Sequence, residues 1–119
     1  MNESKKIIDA CFEASKNVRY VAVYTDGNLV MRSREDLAGA SSSESDKYEE
    51  LLVNPTLLML TSQRGNIDCG GFKFLLVRYG NFFQFVYPLN GGHVSVALEP
   101  TVDLIAIPEL LIRIIEERK

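Results

Sequence analysis

Phe72-Lys73-Phe74-Leu75-Leu76-Val77-Arg78-Tyr79, Gly80-Asn81, Phe82-Phe83-Gln84-Phe85-Val86-Tyr87, Pro88-Leu89-Asn90-Gly91-Gly92 and His93-Val94-Ser95-Val96-Ala97-Leu98 follow one another without a break. Three aromatic and β-branched runs separated by turn residues predict a three-stranded antiparallel meander. A two-residue turn at Gly80-Asn81, with glycine at positive φ, pairs Tyr79 with Phe82, Val77 with Gln84, Leu76 with Phe85 and Phe74 with Tyr87. A turn at Asn90-Gly91 then pairs Tyr87 with Val94, Phe85 with Val96 and Phe83 with Leu98. Side chains alternate along a strand, so two faces follow. One carries Phe72, Phe74, Leu76, Phe83, Phe85, Tyr87, Val94, Val96 and Leu98. The other carries Lys73, Leu75, Val77, Tyr79, Phe82, Gln84, Val86, Ser95 and Ala97. Both are mainly apolar and both need cover. The first is bulky enough for two helices, while Ser95 and Ala97 on the second leave room for one helix to come close.

Working outward, the 119 residues suit a single domain, 1–119, and an apolar content of 46% supplies a core. Net charge is −3, with no tryptophan and no basic run, which argues against nucleic acid and against an anionic membrane surface. No apolar run reaches the roughly 20 residues of a membrane-spanning helix. Cys11 and Cys69 stand far apart, without CxxC spacing or a signal sequence, and fit a reducing cytoplasm.

Residues 3–16 have the period of an amphipathic helix, with Ile7, Ile8, Cys11 and Phe12 on one side. Val18 to Thr25 and Asn28 to Arg34 form a hairpin about Asp26-Gly27, a type I′ signal. It pairs Tyr24 with Leu29 and Ala22 with Met31 on one face, and Val23 with Val30 and Val21 with Arg32 on the other. Arg32 and Arg34 suit an exposed sheet edge. Residues 35–45 are small, polar and serine-rich, and read as a loop. Asp46 with Glu49 has the form of a capping box opening a helix that runs to about Gln63. Asn54-Pro55 interrupts it, by a kink or by a second helix with Asn54 as cap and Pro55 at its first position. After Glu99-Pro100 a short turn at 103–107 leads to a helix from Pro108 to about Arg118. The order is α-β-β-α-β-β-β-α.

Reactive constellations do not emerge. His93, at a turn–strand junction with no cysteine or acid cluster beside it, reads as a surface residue rather than a ligand or base. Gly70-Gly71 and Gly91-Gly92 belong to no phosphate-binding pattern. Cys69 beside Asp68 lacks a base. Glu44, Asp46, Glu49 and Glu50 read as the solvated start of a helix, favoured by its dipole. No catalytic, cofactor or metal residue is assigned.

The element order, the hairpin at Asp26-Gly27, Gly71-Phe72-Lys73-Phe74-Leu75-Leu76-Val77-Arg78 entering the third strand and Val94-Ser95-Val96-Ala97-Leu98-Glu99-Pro100 before the last helix resemble the roadblock / dynein light chain family. The resemblance spans nearly the whole chain. It implies an α+β fold with a five-stranded antiparallel sheet of order 2-1-5-4-3, the first and last helices on one face and the middle helix on the other. It also implies a non-catalytic homodimeric adaptor or regulator for a Ras-like small GTPase or a related signalling or motor partner. Pro55 and Pro108 depart from the family's uninterrupted helices.

In that strand order the third strand is a long apolar edge, which invites pairing with a second copy. The expected interface is Tyr48, Leu51, Leu52, Pro55, Leu58 and Met59 on the helix with Phe72, Phe74, Leu75, Leu76, Val77 and Tyr79 on the strand. A small-molecule sensing domain with a pocket between sheet and helix is the alternative.

Overall fold

The computed structural model describes residues 3–34 and 43–119. Its elements are α1 (Glu3–Ala14), β1 (Val18–Thr25), β2 (Asn28–Ser33), α2 (Ser43–Tyr48), a π-helical turn (Glu49–Val53), α3 (Asn54–Asp68), β3 (Leu75–Arg78), β4 (Phe83–Leu89), β5 (Gly92–Leu98) and α4 (Ile107–Arg118). All five strands join one antiparallel sheet of order β2-β1-β5-β4-β3. The serine-rich stretch expected as a loop lies outside the described residues at 35–42, while Ser43 already belongs to α2.

Turn chemistry sets the registers. Asp26 (φ 50°) and Gly27 (φ 87°) both take positive φ, the type I′ geometry whose twist matches the flanking strands. Tyr24 accordingly pairs with Leu29 and Ala22 with Met31. In the meander Leu76 pairs with Phe85, Phe85 with Val96 and Tyr87 with Val94. The β4–β5 turn has Gly91 at φ 79°. The β3–β4 turn differs from expectation: Gly80 is not among the positive-φ residues, and the connection closes by Tyr79 N–H donating to Phe82 O at 2.9 Å.

One face of the sheet is roofed by α1 and α4. Ile7, Ile8 and Cys11 from α1 and Ile107, Leu111 and Ile115 from α4 meet Val21, Val23, Phe85, Val94, Val96 and Leu98. Val18 joins them although three residues from Val21, because the β1–β5 register shifts between Val18 and Tyr20. Burial pushes the Cys11 thiol up to about 12, which makes it a small apolar filler at neutral pH. Asp103 holds the turn that leads into α4 by accepting from the N–H groups of Ile105 (3.0 Å) and Ala106 (3.3 Å), and Pro108 sits in the first turn of α4, where its missing N–H costs nothing.

The other face buries Tyr20, Ala22 and Ala97, with Leu29, Met31 and Phe82 beside them. Here three expectations need correction. Asp46 and Glu49 lie within a helix that begins at Ser43, so they do not open it. Asn54 is not a cap: it has helical backbone angles (φ −63°, ψ −46°), its N–H reaches back five residues to Glu49 O, and α3 starts with it and carries Pro55 in its first turn. Proline in a regular α-helix clashes with the carbonyl four residues earlier, here that of Leu51. Widening the preceding turn removes that clash, and the helix passes Pro55 without breaking. Finally, β3 is four residues long rather than eight. Phe72 to Phe74 approach it as a loop, although the Phe74 ring still packs 5.4 Å from that of Phe85.

Candidate functional site

The π-turn puts two consecutive acids on the sheet. Glu50 is fully buried, and four donors surround its carboxyl group. Oε1 lies 2.7 Å from His93 Nε2 and accepts from Asn54 Nδ2 at 2.9 Å. Oε2 accepts from the Ser95 hydroxyl at 2.5 Å and the Tyr20 hydroxyl at 3.0 Å. A carboxylate has about four lone-pair sites, so this set saturates it. Three elements converge here, β1 through Tyr20, β5 through His93 and Ser95, and α3 through Asn54. Burial, and then the adjacent Glu50, push the Tyr20 phenol upward and keep it a donor. The Tyr24 ring lies 5.7 Å from that of His93. Among the described residues, Asn54 Oδ1 and Gln84 Nε2 are buried without a partner.

Glu49 turns toward the sheet's β3 side, where Tyr79 O–H donates to its Oε2 at 3.0 Å. Partial burial holds the Glu49 carboxyl above the usual carboxylate range, with the Tyr79 hydrogen bond pulling the other way. Tyr79 is pushed up to about 12 by burial and then by Glu49. Its ring meets Phe82, over which the Arg19 guanidinium stacks at 5.6 Å. Arg19 and Arg34 then share Glu99, at 3.3 and 2.9 Å.

This corrects the reading of both His93 and the acids. His93 is a buried partner of Glu50, not a surface residue, and Glu50 is not solvated. Two signals in the sequence point that way. His93 is in phase with Ser95 and Ala97 on β5, and Glu50, Asn54 and Leu58 recur in steps of four. With every acceptor site on Glu50 occupied by a neighbour, the cluster fastens the helix to the sheet. No group of three or more His, Cys, Asp or Glu able to hold a metal occurs among the described residues.

The helix's opposite face is bare. Tyr48, Leu51, Leu52, Met59, Leu60 and Ile67 are all at least half exposed, from 50% at Leu51 to 75% at Ile67. Such a run of large apolar side chains is the kind of patch that marks an interaction site. Of the residues expected at an interface, Tyr48, Leu51, Leu52 and Met59 lie on this face, and Pro55 is half-buried at its margin. Leu58 faces the sheet. Leu75, Val77 and Tyr79 are half-buried along the sheet's outer strand and the turn that follows it, and Phe72 lies in the loop before them. Phe74 and Leu76 pack against the protein's own core. Leu60 falls off the expected stripe because the turn at Glu49–Val53 shifts the helical phase, and Ile67 because α3 runs on to Asp68, past the expected end near Gln63.

With this geometry, the chain superposes on a Roadblock/LC7 domain from Streptomyces avermitilis with a TM-score of 0.71 at 12% identity, over 93% of this chain and 90% of that one. The chain has the roadblock fold. The gliding protein MglB from Thermus thermophilus is also similar, with a TM-score of 0.62 at 14% identity over 98% and 93% of the two chains. So is a structure of MglB with a tetrameric arrangement, with a TM-score of 0.63 at 12% identity over 100% and 94%. No family model and no curated protein matches the sequence. No helix among the described residues of this roadblock fold is long and apolar enough to cross a membrane.

Proposed function

We propose that the chain is a non-catalytic, cytoplasmic homodimeric adaptor that binds a Ras-like small GTPase or a related signalling or motor partner. The observation that carries this is the bare apolar face of the α2–α3 helix, beside an outer strand, β3, whose far side pairs with no strand among the described residues. Two copies related by a two-fold axis would cover that face and lengthen the sheet, each supplying what the other lacks. The roadblock fold supports the reading, as does the tetrameric arrangement named for an MglB of the same fold. Between sheet and helix, where a sensing domain would hold a ligand, the Glu50 carboxyl is bonded to four neighbours of its own chain.

Sedimentation tests self-association: a dimer is expected at micromolar concentration, and a monomer there refutes it. Affinity capture from source lysate, in GDP and in a GTP analogue, tests the partner class. A Ras-like GTPase should be retained, and recovery of none in either state refutes that assignment.

A further inference from the structure

We propose that the π-turn is what makes the outer side of the middle helix one continuous self-association surface, with Glu50 and Pro55 as the residues that position it. This rests on the homodimer reading and assigns its geometric cause. The inward line is Glu50, Asn54, Leu58 and Gly65, each buried against the rest of the chain. Its first two steps are four residues each. In a regular α-helix a step of four overshoots a full turn by about 40°, so Leu58 would stand roughly 80° round from Glu50. Both nevertheless face the sheet. The step from Leu58 to Gly65 is seven residues, two ordinary turns. The correction therefore falls between Glu50 and Leu58, where the Glu49–Val53 turn carries about one extra residue.

The same correction acts on the outside. Leu51 and Met59 are eight residues apart, as are Leu52 and Leu60. A regular helix would splay the two halves of the stripe by roughly 80°. The wide turn brings them into line, and Ile67 continues it seven residues beyond Leu60. Two independent causes hold the turn. Pro55 disfavours the regular geometry through its ring, and Glu50 pins the turn to β1 and β5 through three hydrogen bonds.

The occupant is a second copy of this chain. The six large exposed residues of the stripe carry no charge, so like faces meet without repulsion. From Tyr48 to Ile67 the helix runs about 30 Å. The adjoining β3 edge, Leu75–Arg78, extends the same surface.

The test is sedimentation equilibrium on the full chain in three forms. The wild type is expected to dimerise. A Glu50→Ala/Pro55→Ala double variant frees the turn to relax, and its dissociation constant is expected to rise at least tenfold with the far-ultraviolet spectrum of a folded chain. Deleting Val53 in a Pro55→Ala background removes the extra residue, leaving a plain helix with both stripes in phase. It is expected to dimerise within about threefold of wild type, a rescue that a merely stabilising role for the turn would not give. If the double variant does not fold, the deletion variant decides alone. A dimeric wild type with an unchanged double variant, or a folded but monomeric deletion variant, overturns this inference and leaves the dimer standing. A monomeric wild type overturns both.

Discussion

Replacing Glu50 by alanine should be among the most damaging single changes in this chain. Glu50 is wholly enclosed, and its carboxyl oxygens are the acceptors for His93, Asn54, Ser95 and Tyr20. Removing it strands these donors in a space the alanine methyl does not fill. An unsatisfied buried donor costs about 1–3 kcal/mol, and deleting one partner of a buried polar pair costs about 3–5 kcal/mol in all. Tyr20 has a fallback in Met31 Sδ at 3.3 Å, a weak acceptor, so the lower part of the summed range applies. A loss of about 3–5 kcal/mol follows. The unfolding entropy is about 2.1 cal/mol/K per residue, so for 119 residues the midpoint should fall by roughly 12–20 °C.

Glutamine is the informative contrast at this position. Its amide nitrogen can face the Ser95 and Tyr20 hydroxyls, which are able to accept. Its oxygen can then keep the donors from His93 and Asn54. Glu50→Gln should therefore cost only about 1 kcal/mol. The assay is urea unfolding followed by circular dichroism, at several protein concentrations so that any self-association is separated from folding. An alanine variant within about 1 kcal/mol of wild type at unchanged m-value would refute the account of Glu50 as a fastener. So would a glutamine variant as damaged as alanine.

Three further outcomes are expected. A Cβ on Gly92 would lie 1.6 Å from the Tyr24 carbonyl oxygen, so Gly92→Ala must part β1 from β5 and should cost at least about 2–3 kcal/mol in urea unfolding. Glu99→Gln weakens the half-buried contacts to Arg19 and Arg34, and should cost about 1 kcal/mol at low salt and less at 1 M, where a salt-independent loss would exclude an ionic origin. Because Glu49 is raised in the folded state, the native chain there binds more proton than the unfolded one. Between the usual carboxylate range and that raised value, stability from this group falls as pH rises. Glu49→Gln should remove this slope while leaving Tyr79 an acceptor, and an unchanged pH profile of the thermal midpoint would count against it.

Much of the architecture was legible because it rests on short-range chemistry. Asp26-Gly27 fixes its hairpin, and strand alternation places Phe85, Val94 and Val96 on one face. The helix-to-sheet fastening was not legible, for a physical reason. Periodicity tracks apolar residues, and the inward line of the middle helix starts with a glutamate and an asparagine, which hydrophobic counting assigns to solvent. Burial of Glu50 is favourable only once His93, Ser95 and Tyr20 are at hand, and these come from strands 30 or more residues away. Pro55 marked a disturbance in the sequence. Whether it resolves as a kink, a break or a wide turn depends on what the sheet offers beneath it. The short β3 is a similar case, since the aromatic run from Phe72 to Phe74 packs as well from a loop as from a strand.

The two flanks of the sheet are unequal, and that inequality limits growth. Along β2 the charged side chains fold back onto their own chain. Arg32 is tied to Asp9 and lies over Phe12, and Arg34 reaches Glu99 and the Lys16 carbonyl. An incoming strand would have to displace these contacts before bonding to the backbone. Were both flanks as adhesive as β3, molecules could add end to end into an endless ribbon. With the β2 side guarded, the proposed pairing through β3 would use the remaining open flank among the described residues, and assembly through the sheet would stop at a closed pair.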